Sequence, residues 1–305
     1  MRRTRTLAGI GIAAVALLAL TACNSGTPSS TGTGGGDDGG DASSSTPWTV
    51  ATDVSLDGSP TFDRISSSGT IKVGVKEDQP GLGYLDPVTG ERTGFDVDIA
   101  RWMAASLGVD PEKIEFQAIA SANREQAIVN GDIDYYVGTY SITDKRKEQI
   151  SFAGPYFVTG QGLLVAADND TITGKDSLTA ETTVCSVTGS TPIQRIREQT
   201  PAKVVEFDTY SQCVEKLKNG EVDAVTTDEA ILLGYAAQDP DNLKIAGEPF
   251  SEERYGVGIA KGDTAFQEFV NTMFTDGGST WEAIFEKNLG ASGVKGEQPA
   301  VDPVS

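Results

Sequence analysis

The sequence predicts an α/β fold made of two lobes. From about residue 59 onward, strand-like segments alternate with helix-like segments, which favours mainly parallel sheets joined by right-handed crossovers. In addition, the sequence AIVNGDID at 127–134 recurs as KLKNGEVD at 216–223, and each copy reads as a helix end, a glycine cap and a strand start. Two related lobes explain this repeat better than a chance match. Ligands of such folds bind in the crevice outside the carboxyl ends of the strands.

The first elements follow from hydrophobic spacing. Ile71–Val75 is a short apolar run typical of a strand, and Phe95–Leu107 carries apolar residues at helical spacing. Lys113–Phe116 is predicted to be the next strand, and Arg124–Val129 the helix that leads into the Asn130-Gly131 turn.

The N-terminus has the features of an exported lipoprotein. Residues 1–22 combine a basic start at Arg2, Arg3 and Arg5 with an apolar run that is too short for a good membrane span. The run ends in Leu-Thr-Ala-Cys, which is similar to a bacterial lipobox, so Cys23 is predicted to be lipidated. The alternative is a plain secretory signal with an incidental cysteine.

Two segments are predicted to lie outside the folded lobes. Residues 23–58 begin with a run of Gly, Ser, Thr and Asp that cannot bury enough apolar surface to fold, so we expect a flexible tether. Residues 291–305 are expected to be a short disordered tail.

The composition excludes several classes of function. The 305-residue chain has a formal net charge of −20 and a pI near 4.3, which argues against nucleic acid or an anionic membrane surface as a partner. It has no histidine, which removes the commonest general base, Ser-His and Cys-His nucleophiles, and most catalytic zinc sites. We predict no metal and no cofactor.

Two cysteines remain once Cys23 is set aside. Cys185 lies in a strand-like segment and Cys213 in a helix-like one. Export places the chain in an oxidising compartment, which favours a disulfide between them. Two buried free thiols are the alternative.

A candidate carboxylate-binding site lies in the segment Asn130–Arg146. A short strand ends there in the loop Gly138–Ser141, which is rich in small and hydroxyl-bearing residues, and Arg146 falls in the first turn of the next helix. A guanidinium fits a carboxylate bidentately, and nearby hydroxyl and amide groups can satisfy the remaining lone pairs. An ordinary surface ion-pair arginine is the alternative.

The second lobe offers two complementary elements. Thr191 is predicted to cap the helix after Thr188-Gly189-Ser190, and the free N–H groups of a helix start attract anions. Asp228 opens a later helix, where its carboxylate could hold an ammonium group or simply cap the helix. If these groups face one cleft with Arg146, they suit an α-amino acid.

Four motifs occur in order along the folded region. They are Gly94–Ala100 (GFDVDIA), Ser141–Arg146 (SITDKR), Phe152–Tyr156 (FAGPY) and Asn219–Ala224 (NGEVDA). Together they closely resemble the family 3 extracellular solute-binding proteins of amino-acid ABC importers, and the resemblance covers about residues 60–290.

The resemblance implies a periplasmic-binding-protein-like fold, in which two crossover strands form a hinge between two α/β lobes. On this basis residues 59–160 form the first part of lobe 1, residues 161–248 form lobe 2, and residues 249–290 return to lobe 1. The chain would leave lobe 1 near 158–162 and return near 247–251.

The resemblance also assigns roles to individual residues. Arg146 matches the arginine that binds the ligand's α-carboxylate, with help from Ser141, Ser190 and the amide of Thr191. The groups assigned to the α-ammonium are the carbonyl of Gly138, the side chain of Thr139 or Ser141, and Asp228. Gly138 departs from members that carry serine there, a change that preserves only a backbone contact.

Ligand specificity is assigned to a second set of residues. Ser121 and Arg124 resemble a Ser-x-Asn-Arg element that grips the distal carboxylate in glutamate- and aspartate-binding members, and Lys76 falls where those members place another cation. The alternative is that Lys76 and Arg124 form surface pairs with Glu77 or Glu125.

Two further features are compared with the family. Leu82 and Tyr84 lie in a loop where many members place an aromatic platform over the ligand. The pair Cys185 and Cys213 also resembles a feature of the glutamate-type subgroup.

The sequence is therefore interpreted as a monomeric, lipid-anchored, extracytoplasmic binding protein and not an enzyme. It is expected to capture an acidic amino acid, with L-glutamate favoured, and to deliver it to the permease subunits of an ABC transporter. Glutamine, aspartate or another polar amino acid is the first alternative. An enzyme on the same scaffold, with Glu77, Asp228 or Glu229 as acid or base, is the second, and a sensor or receptor ectodomain is the third.

Overall fold

The computed structural model describes residues 46–304 and has the α/β architecture that the sequence predicts. Its strands are, in chain order, β1 (Ile71–Val75), β2 (Asp78–Gln79), β3 (Gly83–Leu85), β4 (Arg92–Thr93), β5 (Ile114–Ala118), β6 (Tyr135–Tyr136), β7 (Ser151–Thr159), β8 (Gln161–Ala166), β9 (Thr183–Val187), β10 (Lys203–Phe207), β11 (Ala224–Asp228), β12 (Leu243–Ile245) and β13 (Glu253–Ile259). Its helices are α1 (Pro60–Ser68), α2 (Phe95–Ser106), α3 (Arg124–Val129), α4 (Asp144–Lys147), α5 (Thr191–Gln199), α6 (Tyr210–Lys218), α7 (Glu229–Gln238), α8 (Thr264–Asp276) and α9 (Gly278–Leu289). The predicted signal peptide and Cys23 lie outside the described residues.

Two five-stranded sheets form the centres of the two lobes. The lobe 1 sheet has the order β5-β1-β6-β13-β7, and the lobe 2 sheet has the order β10-β9-β11-β8-β12. In each sheet three parallel strands come first, and an antiparallel strand then pairs with the third of them. The carboxyl ends of the parallel strands in both lobes are followed by the loops that carry the predicted site residues. A small antiparallel sheet of β2, β3 and β4 adjoins lobe 1.

The internal repeat forms the same structural joint in both lobes. Asp134 accepts a hydrogen bond from the Lys72 amide at 2.7 Å and returns one from its own amide to the Lys72 carbonyl at 2.8 Å. In lobe 2, Asp223 forms the same pair of bonds with Thr183, at 2.7 and 2.9 Å. The two copies share the same spacing, and in each lobe that spacing sets the position of the turn between a helix and the third parallel strand of the sheet.

The lobes are joined by two chain crossings. The chain passes from β7 to β8 at Gly160 and returns into β13, whose first residue, Glu253, pairs with Thr159 of β7. The Glu253 carboxylate accepts hydrogen bonds from Thr191 Oγ1 at 2.9 Å and from Arg195 at 2.8 Å, so it ties the returning strand to helix α5 of lobe 2.

Both predicted disordered segments are folded where the structure describes them. Residues 46–58 pack Trp48, Val54 and Leu56 against the lobe 1 core. The predicted tail after residue 290 is anchored by Asp302, whose amide donates to the Gly154 carbonyl at 2.7 Å, and by an ion pair between Asp302 and Arg254 at 2.5 Å. The expectation of disorder from polar composition is wrong there, because isolated apolar and charged residues find partners on lobe 1.

Cys185 and Cys213 form a disulfide that joins β9 to α6, with Cα atoms 5.5 Å apart. This is the outcome predicted from export, and not the pair of free thiols. No helix between residues 46 and 304 has the length and apolar character needed to cross a membrane.

Replacing Cys185 and Cys213 by serine should lower the free energy of unfolding by about 3–4 kcal/mol, because the bridge closes a loop of 28 residues in the unfolded chain. Urea unfolding with and without reductant measures this. The double variant is the control, since reductant should leave its midpoint unchanged. A wild-type midpoint that does not move on reduction would contradict the prediction.

Candidate functional site

A cavity lies between the two lobes, at the carboxyl ends of their parallel strands. Its enclosed volume is only about 10 Å³, because the two lobes meet closely around it. The residues that line it are Ser121, Arg124, Thr139, Ser141, Arg146, Ser190, Thr191, Pro192, Tyr210 and Asp228. Of these, only Pro192 and Tyr210 are absent from the predicted site residues.

Arg146 is held in the cavity wall by the start of helix α4. Thr143 caps this helix, its hydroxyl accepting from the Arg146 amide at 3.3 Å. The guanidinium donates to the Ser141 carbonyl at 2.6 Å, to the Gly189 carbonyl of lobe 2 at 3.0 Å and to Glu125 at 3.2 Å. Burial, followed by the charge of Arg124, lowers the pKa of Arg146 to about 10.

Arg124 is buried without an ion-pair partner among residues 46–304. It begins helix α3, directly after a short 3-10 turn at Ser121–Asn123. Its Nε donates to the Ser121 carbonyl at 3.0 Å, and its terminal nitrogens reach the carbonyls of Thr139 and Gly189 at 3.5 Å. In the part of the chain that the structure describes, the guanidinium is therefore surrounded by carbonyl groups and aromatic rings.

Lys76 stands behind Ser121 and does not line the cavity. Its Nζ donates to Ser121 Oγ at 2.8 Å and to the Ile119 carbonyl at 3.2 Å. Burial, followed by the charge of Arg124, lowers the pKa of Lys76 to about 7. The alternative of surface ion pairs is wrong, because Lys76 and Arg124 are both buried.

The two carboxylates offered as their surface partners bind elsewhere. Glu77 lies 3.7 Å from Arg92, and Glu125 pairs with Arg146. Glu125 therefore offsets part of the charge of Arg146, whereas Arg124 has no carboxylate at ion-pair distance among the described residues.

Asp228 supplies the negative charge on the lobe 2 side. It ends β11 and precedes α7, but its side chain makes no capping hydrogen bond. One carboxylate oxygen accepts from the Tyr255 hydroxyl at 2.7 Å, and the other, Oδ1, is buried without a hydrogen-bond partner in the described part of the chain. Burial, followed by the charge of Glu253, raises the pKa of Asp228 to about 8.

Helix α5 begins one residue earlier than the sequence predicts. Ser190 and not Thr191 is the cap, and its hydroxyl accepts from the Ile193 amide at 3.3 Å. Thr191 is thereby free to donate to Glu253 and lies 3.5 Å from Ser141 Oγ across the cleft. Gly189 enables this approach, because a Cβ there would lie 2.8 Å from Ala122 of lobe 1.

Three other predicted site residues lie outside the cavity wall. Leu82 is fully buried in the lobe 1 core, and Tyr84 is half-buried on β3. Gly138 precedes the lining residue Thr139, and a Cβ at Gly138 would lie 2.8 Å from Tyr136 Oη, so a serine would not fit here without a shift. The structure therefore offers neither Leu82 nor Tyr84 as a platform beside the cavity.

Tyr210 and Pro192 are lining residues that the sequence analysis missed. Tyr210 is the first residue of α6, three positions after the end of β10, so it occupies a strand end equivalent to those that carry Ser121 and Ser190. A search of every strand end for aromatic residues would have found it.

The lining side chains can hold an anion and a cation at the same time. Arg124 and Arg146 carry two positive charges and Asp228 one negative charge, which gives a formal balance of +1 when all three are ionised. The positive groups belong to lobe 1 and the unpartnered carboxylate oxygen to lobe 2. A ligand bound here would bring the two lobes together through opposite charges.

Comparisons with known proteins agree with this architecture. The model of the bacterial extracellular solute-binding proteins, family 3, matches residues 71–291. The glutamate-binding protein GluB of Corynebacterium efficiens is 41% identical over 237 residues, which cover 73% of this chain and 80% of that protein. The glutamine-binding protein of Geobacillus stearothermophilus is 39% identical over 261 residues, which cover 85% and 95% of the respective chains.

A crystal structure of a mutant of ArgBP from T. maritima superimposes with a TM-score of 0.70 at 30% identity, over 75% of this chain and 99% of that one. The match to the family model spans both lobes and all four sequence motifs. This chain belongs to the family 3 bacterial extracellular solute-binding proteins.

Proposed function

We propose that this protein binds L-glutamate in the cavity between its lobes and delivers it to the permease of an ABC importer. One observation carries the proposal: two buried arginines face, in a single cavity, a buried carboxylate with one unpartnered oxygen. An α-amino acid with a second carboxylate complements all three groups.

The α-amino acid part of the ligand is assigned to Arg146 and Asp228. Arg146 would hold the α-carboxylate, with the hydroxyls of Ser141 and Thr191 close to the same position. Asp228 Oδ1 would accept from the α-ammonium group, which removes the cost of a buried oxygen without a donor.

The distal carboxylate is assigned to Arg124 and Ser121, with Lys76 behind them. L-Glutamate carries a net charge of −1 at neutral pH, which balances the +1 of the lining residues, whereas glutamine carries none. The similarity to GluB supports this ligand, and the similarity to a glutamine-binding protein keeps glutamine as the alternative.

We also propose that the protein is a monomer held on the outer face of the cell membrane by a lipid on Cys23. The lipobox-like sequence before Cys23 supports the anchor, and membership of an extracellular family supports the location. The relatives named above are binding proteins, which supports binding without turnover. Conversion of L-glutamate by the purified protein would favour the enzyme alternative.

Replacing Arg146 by alanine should weaken binding of both glutamate and glutamine about 100-fold or more, because it leaves the shared α-carboxylate in a dry site without a cation. Isothermal titration calorimetry measures this. Arg197→Ala is the control, since Arg197 lies on the outer side of α5 and pairs with Glu206. An Arg146 variant that still binds either ligand within a few-fold would contradict the assignment.

Replacing Arg124 by alanine should weaken the binding of glutamate much more than the binding of glutamine. We expect glutamate to lose about 100-fold in affinity and glutamine less than about tenfold, because only glutamate loses an opposite charge for its distal group. The same calorimetric titrations provide the comparison. Equal losses of affinity for the two ligands would mean that Arg124 does not bind the distal carboxylate.

Affinity should depend on pH through Asp228. The free carboxyl has a pKa of about 8, whereas an ammonium ligand requires the ionised form, so binding releases a proton and affinity falls by up to about tenfold per pH unit below about pH 8. Titrations in two buffers of different ionisation enthalpy detect the proton. Asp228→Asn should bind weakly and lose this dependence, and a wild-type affinity that is flat across this range would contradict the role of Asp228.

Lys76 should lower the affinity for glutamate, but not for glutamine, as the pH rises, which is opposite to the effect of Asp228. The pKa of Lys76 is about 7, so its ammonium group loses its positive charge above neutral pH. That charge would attract the distal carboxylate of glutamate. The ratio of glutamate to glutamine affinity should therefore fall as the pH rises through about 7. A constant ratio would remove Lys76 from the specificity assignment.

A further inference from the structure

Tyr140 lies between two lining residues, Thr139 and Ser141, but its side chain points into lobe 1 and is fully buried. Both cavity arginines lie over its ring. The Cζ atom of Arg124 is 4.2 Å from the ring centroid, and that of Arg146 is 4.9 Å from it. One aromatic ring therefore contacts the two guanidinium groups that the proposed function assigns to the two ligand carboxylates.

The ring addresses a physical problem of this site. Two guanidinium groups buried close together repel each other, and only Arg146 has an ion-pair partner among the described residues. The face of an aromatic ring carries partial negative charge and attracts cations, most strongly where water is excluded. A shared ring thus offsets part of the repulsion without adding a carboxylate that would compete with an anionic ligand.

The ring is fixed in place by its neighbours. Tyr136 packs edge-on at 5.2 Å between centroids, and Phe152 at 4.9 Å. On β13, Gly258 leaves room for the ring, because a Cβ there would lie 2.9 Å from Tyr140 Cε1. The ring therefore cannot turn away from the arginines without repacking this part of lobe 1.

The hydroxyl group lies close to Glu125, the ion-pair partner of Arg146. Tyr140 Oη is buried and has no well-formed hydrogen bond in the described part of the chain. The contact with both guanidinium groups is made by the face of the ring.

We propose that Tyr140 is a positioning residue whose ring holds Arg124 and Arg146 in the orientation that binds a dicarboxylic amino acid. The proposal rests on the proposed function for the identity of the ligand. It assigns Tyr140 no direct contact with the ligand.

Ring electronics provide a test that leaves side-chain shape nearly unchanged. Tyr140 is replaced in the full-length protein by Phe and by phenylalanines with one, two, three and five ring fluorines, which progressively remove the negative charge of the face. We expect Tyr140→Phe to bind glutamate as the wild type does, and affinity then to fall by about tenfold across the series. Calorimetry with glutamate and glutamine supplies the affinities.

The control is the same fluorinated series at Phe266, which is fully buried in lobe 1 against Tyr135. That series should leave affinity unchanged. A purely structural role for Tyr140 would lower the melting temperature without a graded loss of affinity in the folded protein, and would overturn the proposal. A loss already complete in Tyr140→Phe would also overturn it, because the hydroxyl would then be the active group.

The two proposals fail in different ways. If the wild type binds glutamine and not glutamate, the proposed ligand is wrong, while a graded loss of glutamine affinity still supports the role of the ring through Arg146. If neither amino acid binds, the melting temperatures of the two fluorinated series without ligand provide the test. A melting temperature that falls more steeply with the number of fluorines at position 140 than at position 266 supports the ring–guanidinium contact. Equal slopes at the two positions overturn it.

Discussion

Positive charge is buried beside the cavity in excess of the negative charge that faces it. Lys76, Arg124 and Arg146 are 6%, 2% and 7% exposed, and Glu125 is the only carboxylate within ion-pair distance of any of them among the described residues. Burial disfavours the charged form of a cation, and for this reason the pKa values of Lys76 and Arg146 are lowered. Carbonyl groups and the Tyr140 ring offset part of it. An anionic ligand would offset the rest.

The topology explains why the opposite charges lie on opposite lobes. Both sheets place a helix and a loop after each parallel strand, and the matching joints at Asp134 and Asp223 repeat this geometry. Lobe 1 uses its strand ends for the arginines, and lobe 2 uses the end of β11 for Asp228. Among the lining residues, the arginines therefore belong to lobe 1 and the carboxylate belongs to lobe 2.

Groups on the returning strand couple the site to the crossings. Tyr255 of β13 donates to Asp228 Oδ2, and Glu253 accepts from Thr191 and Arg195 of α5. Both interactions join lobe 1 strands to lobe 2 groups. The orientation of Asp228, and the affinity of its carboxyl for a proton, therefore depend on how the lobes meet.

Much of this organisation could be predicted because it depends on local pattern. The alternation of strands and helices and the repeated turn predicted the α/β fold. Of the ten lining residues, eight were named from the sequence, some from loops and helix starts after strands and others, such as Ser121 and Arg124, from the family resemblance. Such residues are fixed by their place in the chain, since whatever follows a parallel strand reaches the crevice.

The remaining features depend on contacts between distant segments. The family resemblance placed Leu82 beside the cleft, but Leu82 packs into the lobe 1 core. The segments before residue 59 and after residue 290 look polar, but find partners on lobe 1 that only the folded surface supplies. Likewise, the spacing of Tyr140 between two site residues gives no sign that both arginines lie over its ring.

The most direct measurement of the central claim is calorimetric titration of the wild-type protein with L-glutamate and L-glutamine, after unfolding and refolding to remove any ligand carried through purification. The charge balance of the cavity predicts tight binding of one glutamate per chain and far weaker binding of glutamine. Binding of glutamine as tight as that of glutamate, or tighter, would show that the excess positive charge does not select the ligand, and would contradict the account.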